Sequence, residues 1–137
     1  MIILKAITQL LIVLLLTSCG SKDNHVGYWL GKNNDNEVFG LNLAEDGTAT
    51  VQIGTIVYGP EIRRGGQIFE LRYKIDDNPE LTNPIVEIAL YHNPRALAED
   101  FMMCTFKFVD DKKALLIIFA NHGNRWTDYK AIVTKVE

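Results

Sequence analysis

Histidine and cysteine are residue types of this chain that could bind zinc or act as a nucleophile. The three histidines are His25, His92 and His122, and no two of them have the close spacing of a zinc site. Neither an HExxH nor a CxxC pattern occurs in the chain. We therefore predict no catalytic residue, no metal site and no cofactor, and we interpret the three histidines as surface residues.

Paired charged residues offer a second kind of chemistry. Asp76-Asp77 and Asp110-Asp111 could serve acid–base catalysis or calcium binding, but each pair lies in a predicted loop or hairpin turn, where solvated acids are common. The predicted turn Arg63-Arg64-Gly65-Gly66 could present two guanidinium groups to an anion, and a solvated loop is the simpler interpretation. On these grounds we predict that the protein is not an enzyme.

The two cysteines lie in different settings. Cys104 shares the apolar side of a predicted strand with Met102, Phe106 and Phe108, where a free cysteine behaves as a small hydrophobic residue. Cys19 instead ends an apolar stretch near the N-terminus. That stretch has the architecture of a secretory signal, with Lys5 followed by a mainly apolar run over residues 6–16 that is too short to span a bilayer. No intramolecular disulfide is expected.

The residues Leu16-Thr17-Ser18-Cys19 resemble the lipobox of bacterial lipoproteins. The resemblance implies cleavage before Cys19, a diacylglycerol joined to the Cys19 sulfur by a thioether, and usually an acyl chain such as palmitate on the Cys19 amine. Cysteine suits this modification because a thiolate is the most nucleophilic ordinary side chain. Two or more lipid chains make membrane anchoring stable, so we expect Cys19 to be the lipidation site and the membrane to be one partner.

The first mature residues indicate where such a lipoprotein would reside. Gly20 stands at the second mature position, where aspartate retains many enterobacterial lipoproteins in the inner membrane. Lys22-Asp23 resembles the lysine-plus-acid export tags of some Bacteroidetes lipoproteins. The expected location is the bacterial cell envelope, at the outer membrane, on either its periplasmic face or the cell surface.

Length and charge limit the domain organisation and the partners. Removing an 18-residue signal from 137 residues leaves 119, which is one domain with a single modest core. We predict a signal peptide over 1–18, a lipidated polar tether over 19–25 and one domain over 26–137. The net charge of −3 becomes −4 when Lys5 is removed with the signal, so we predict no nucleic-acid partner.

Alternating apolar and polar residues predict an all-β domain of about eight antiparallel strands. The clearest alternation is over residues 67–75, where Phe69, Leu71 and Tyr73 alternate with charged residues. Short connections favour an up-and-down barrel, with a two-sheet β-sandwich as the alternative. One short helix is predicted over residues 94–99, because Asn93 could cap it and proline would occupy its first position.

Two short motifs are similar to those of the lipocalins. Gly27-Tyr28-Trp29 matches the Gly-x-Trp motif of that superfamily, and Thr127-Asp128-Tyr129 resembles its second triplet. The resemblance implies a barrel in which Trp29 packs over the closed end. It gives Gly27 and Trp29 structural roles and leaves the ligand-binding residues unknown.

The predicted strand over residues 114–120 is apolar on both faces. We expect Leu116 and Ile118 to lie on its outer face, covered either by Leu97 of the short helix or by a partner.

Two functional hypotheses follow from these observations. The first is a lipid-anchored binding domain for a small apolar ligand or a hydrophobic segment of another envelope protein. The second is a protein-binding envelope factor, such as an inhibitor, an immunity protein or an assembly subunit, with a solid core and loop-mediated recognition. A continuous apolar cavity of roughly 300 Å³ or more favours the first, and a filled interior favours the second.

Overall fold

The computed structural model describes residues 24–137 except 79, 81–82, 94–95 and 122–128, and the described part contains strands and no helix. Alternating side chains form ten strands, in agreement with the predicted all-β class. The strands are β1 (Gly27–Asn33), β2 (Val38–Leu43), β3 (Ala49–Ile53), β4 (Ile56–Tyr58), β5 (Glu61–Arg64), β6 (Gln67–Asp76), β7 (Ile85–Asn93), β8 (Ala96–Phe108), β9 (Lys113–Asn121) and β10 (Tyr129–Val136).

All ten strands belong to one antiparallel sheet in the order β4-β3-β2-β1-β10-β9-β8-β7-β6-β5. The first and last strands pair, with Trp29 opposite Lys135, so the chain runs up and down around a nearly closed barrel. This arrangement confirms the predicted barrel, and it is a single sheet rather than the alternative two-sheet sandwich.

The barrel closes where β3 approaches β6. Tyr73 donates its backbone N–H to the Gly47 carbonyl at 3.1 Å, and its hydroxyl donates to the Ala44 carbonyl at 2.7 Å. A single bridge joins Thr48 to Arg72 beside them. Eight strands therefore surround this half of the barrel, and β4 and β5 widen the other half.

A fork at residues 59–60 separates β4 from β5. Leu71 donates its backbone N–H to the Pro60 carbonyl at 2.7 Å, while Gly59 has a φ of 82°. A Cβ on Gly59 would lie 2.6 Å from the Ala49 carbonyl oxygen, so a larger residue does not fit between β3 and β6. The chain thus pairs with β3 before the fork and with β6 after it.

The interior of the barrel is filled with apolar side chains. Their exposed fractions are 0–2%, and the largest are Trp29, Phe39, Phe106, Leu41, Leu43, Leu71, Ile88, Leu90, Met102, Leu116 and Ile118. A side chain that lined an internal space large enough for water would keep some accessible area. These residues therefore pack against one another at the density of a solid core.

The helix predicted over residues 94–99 is wrong for its described part. Ala96 and Leu97 belong to β8, where Ala96 lies opposite Asn93 and Leu97 lies opposite Tyr91. The capping signal is local, whereas the free backbone groups of β7 offer hydrogen bonds to any chain that turns back beside them. Residues 96–97 therefore pair with β7 instead of forming a helix.

The expected outer face of residues 114–120 is also wrong. Leu116 and Ile118 are fully buried in the core, and Leu97 is 60% exposed, so no covering helix exists over the described residues. Leu115 and Ile117 form the outer face instead. The sequence could not indicate which face of this strand points into the core, because both of its faces are apolar.

None of the described residues belongs to a helix that is long and apolar enough to cross a membrane.

Candidate functional site

The antiparallel order sorts the connections into two ends. At one end, called the anchor end, lie His25, the 44–48 turn, the 109–112 turn and the C-terminus. At the other end, called the open end, lie the turns that join β3 to β4 and β5 to β6 and the connection from β7 to β8. The terminal strands β4 and β5 diverge from the fork at residues 59–60 towards the open end.

An aromatic cluster closes the anchor end. The ring centroid of Trp29 lies 5.3 Å from that of Phe106 and 5.9 Å from that of Phe108. The His25 ring lies 5.0 Å from each of the two phenylalanine rings, in edge-to-face geometry. Trp29 and Phe106 are both fully buried in this cluster.

Lys135 and Gly27 complete this end. The Lys135 ammonium lies 5.2 Å from the centroid of the Trp29 ring and donates to the Asn24 carbonyl at 3.5 Å. Gly27 has a φ of 136°, and a Cβ on it would lie 2.7 Å from the Lys135 Cε. Glycine at position 27 therefore lets the lysine stem pass over the backbone to reach the indole.

The interpretation of His25 as a surface residue is wrong. His25 is only 2% exposed, and neither ring nitrogen has a hydrogen-bond partner. Burial, and secondarily the positive charge of Lys135, lowers the pKa of the His25 imidazole. The spacing of four residues between His25 and Trp29 was the available signal, because it lets the tether reach the indole.

The other histidines do not join this cluster. His92 is exposed at the open end, and its ring lies 4.6 Å from that of Phe69. His122 and the Thr127-Asp128 part of the second triplet lie outside the described residues. In the part of the chain that the structure describes, no three histidine, cysteine or acidic side chains are placed to hold a metal ion.

Cys104 lies in the core, on the apolar side of β8 as its alternation predicts. It is fully buried, and desolvation raises the pKa of its thiol to about 12. The thiol is therefore protonated at neutral pH, and a protonated thiol is a poor nucleophile.

The paired charged residues are held by local contacts. Asp76 accepts the backbone N–H of Asn78 at 3.1 Å, and Asp110 accepts that of Lys112 at 2.8 Å, as expected for acids that shape turns. Arg64 forms an ion pair with Glu99 of β8 at 3.0 Å. This side chain joins two elements at the open end, which argues against the anion site considered for this turn.

A surface groove of about 540 Å³ runs beside the fork. Pro60, Ile68 and Phe69 supply its apolar surface, and Asp46, Glu61 and Glu70 supply carboxylates. Sequence reasoning missed this groove because its residues come from four separate segments.

The open end also carries two unpaired sheet edges. β4 and β5 are the terminal strands of the sheet, and within the described residues no strand pairs with their outer sides. Ile56 and Val57 of β4 are more than half exposed, and the Tyr58 ring lies 5.4 Å from that of Phe101. Unpaired backbone hydrogen-bonding groups and exposed apolar side chains thus occur together at the gap between β4 and β5.

Comparisons with protein-family models, with curated proteins and with solved structures each find no match.

Proposed function

We propose that this protein is a lipid-anchored bacterial envelope lipoprotein that binds another envelope protein and does not catalyse a reaction. The observation that carries the choice of a protein partner is the filled interior. The aromatic and aliphatic side chains along the barrel axis are 0–2% exposed, so an apolar ligand has no room among them. The partner therefore binds to an outer surface of the barrel or to its open end.

The proposed anchor determines the orientation of the barrel. Cys19 lies five residues before Asn24, which contacts Lys135 at the anchor end. Five extended residues span at most about 18 Å, so a lipid on Cys19 keeps the anchor end close to the bilayer. The open end, with β4 and β5, then faces away from the membrane and towards partners. Gly20 supports an outer-membrane location.

The gap between β4 and β5 is the surface that best fits a protein partner. An unpaired strand edge presents N–H and C=O groups that an extended segment of another protein can satisfy by adding a strand. Val57 is 57% exposed on this edge and offers an apolar contact for such a segment. We propose that the partner inserts a short extended segment here.

Site-specific photocrosslinking tests this proposal with a matched control. Val57 at the gap and Ile132 on the closed barrel wall are both apolar strand residues, with exposed fractions of 57% and 58%. A photoreactive amino acid at position 57, in cells that produce the protein, is expected to form one discrete adduct, and the same residue at position 132 is not. Equal adducts at both positions, or none at position 57, would contradict strand addition.

A charge substitution provides the complementary test. Val57→Lys places a charge on the edge, which opposes strand addition without changing the core. The lysine is expected to abolish co-purification of the crosslinked partner, whereas Ile132→Lys is expected to leave it unchanged. Loss of the partner in both variants would show that the effect is not specific to the edge.

A small apolar ligand remains the second candidate because of the groove beside the fork. Its volume of about 540 Å³ is in the range of ligand pockets. Phe69 and Ile68 provide apolar contacts, whereas Glu61 and Glu70 disfavour an anionic headgroup. Mass spectrometry of organic extracts from the purified protein tests this candidate. A stoichiometric lipid that is lost in Ile68→Asp would favour it over the protein partner.

A further inference from the structure

His25 occupies an unusual environment for a titratable side chain. The residue is only 2% exposed, its ring lies against Phe106 and Phe108, and neither ring nitrogen is hydrogen-bonded. A buried polar group without a partner costs stability, and a buried charge costs far more. The site therefore accommodates a neutral imidazole and opposes an imidazolium.

The groups around the ring come from three strands. β1 contributes Trp29, β8 contributes Phe106 and Phe108, and β10 contributes Lys135 as the facing charge. None of these residues offers a carboxylate to an imidazolium, and the ammonium of Lys135 repels it. Burial first, and then this repulsion, lowers the pKa of His25.

Residues 24 and 25 are held to the barrel by backbone contacts as well. Trp29 donates its indole N–H to the His25 carbonyl at 2.9 Å, and the Lys135 ammonium donates to the Asn24 carbonyl at 3.5 Å. The buried ring and these two hydrogen bonds form one attachment point at the end of the predicted tether over 19–25.

We infer that His25 is a proton-sensitive latch, which holds the end of the predicted tether against the barrel when neutral and leaves its aromatic pocket when protonated. Release frees two residues, which adds about 7 Å to the reach of the preceding segment. It also uncovers one side of the Trp29 cluster. The latch itself needs only this chain; its effect on the distance from the membrane rests on the proposed lipidation of Cys19.

Acrylamide quenching of Trp29 fluorescence measures the release. The full-length chain in detergent micelles carries Trp126→Phe, so that Trp29 is its sole tryptophan. Between about pH 8 and about pH 5, where histidine is the side chain that ordinarily titrates, quenching is expected to increase and to reverse on neutralisation. Far-UV circular dichroism should not change, which distinguishes release of the latch from unfolding of the barrel.

His25→Phe is the matched variant because phenylalanine keeps an aromatic ring in the pocket but binds no proton. Its quenching is expected to be the same at both pH values. Equal responses in the variant and the parent would overturn the proposal. NMR of the imidazole nitrogens in the parent protein provides an independent test, which does not need His25→Phe to fold. The proposal requires that Trp29 become accessible to acrylamide as His25 is protonated. A protonated His25 with Trp29 still shielded from acrylamide would contradict it.

Discussion

The indole N–H of Trp29 donates a 2.9 Å hydrogen bond to the backbone carbonyl of His25. The bond joins the first strand of the barrel to the segment that precedes it, and both residues are buried against Phe106. The Trp29 ring thus packs in the core, while its N–H holds the N-terminal segment against the barrel. The first prediction follows from this dual role.

Trp29→Ala is expected to destabilise the barrel by about 3–5 kcal/mol, because it removes a fully buried aromatic ring. Trp29→Phe keeps much of the ring and is expected to lose less, including about 1 kcal/mol for the hydrogen bond to His25. Thermal unfolding of the full chain in detergent measures both. An unchanged melting temperature in Trp29→Ala, with loss of partner binding, would assign Trp29 a functional role instead.

Leu116→Lys is expected to prevent folding or to lower the melting temperature by many degrees, because Leu116 is fully buried opposite Phe106. Ile132→Lys is the control on the neighbouring strand, and its 58% exposure predicts a change within about 0.5 kcal/mol. Equal stability of the two variants would show that Leu116 faces outward.

Cys104 is expected to resist thiol reagents in the folded protein. Its thiol is fully buried and has a pKa raised to about 12, so both access and the thiolate form are lacking. Titration with Ellman's reagent at neutral pH should detect the Cys104 thiol only after denaturant is added. Rapid labelling of the native protein would indicate that the strands around Cys104 open.

Cys19→Ser is expected to abolish lipid attachment, since a serine hydroxyl is far less nucleophilic than a thiolate. Cells fed a clickable palmitate should label the parent protein and not the variant. Cys104→Ser is the matched control and should keep its label, because Cys104 is a core residue. Labelling of Cys19→Ser at the parent level would rule out Cys19 as the lipid site.

The stability of the barrel is expected to decrease in mild acid through His25. Because its folded-state pKa is lowered, the unfolded chain binds the proton more tightly. The His25 contribution is therefore full above about pH 6.5, the ordinary histidine value, and is lost as the pH falls from there through the lowered folded-state pKa. Denaturant unfolding of the parent and of His25→Phe across this range measures it. If the stability of the two proteins changed identically with pH, the acid sensitivity could not be assigned to His25.

The sequence by itself determined the all-β class. For strands whose two faces differ in polarity, it also determined which face points into the core. In β6, Phe69, Leu71 and Tyr73 alternate with charged residues, and Leu71 is fully buried in the core as the pattern predicts. An alternating strand can bury only one of its faces without burying charge, so its orientation follows from local composition. The same reasoning placed Cys104 and Met102 inside.

Only the tertiary structure decided the features that depend on distant neighbours. β9 is apolar on both faces, so the packing of Leu116 against the core selected its phase. Residues 96–97 became strand because β7 supplied backbone partners, and His25 became buried because β8 and β10 surround it. The gap between β4 and β5 arises where Gly59 fits between β3 and β6. Each outcome requires contacts between residues far apart in the chain, and a local pattern of side chains carries no information about them.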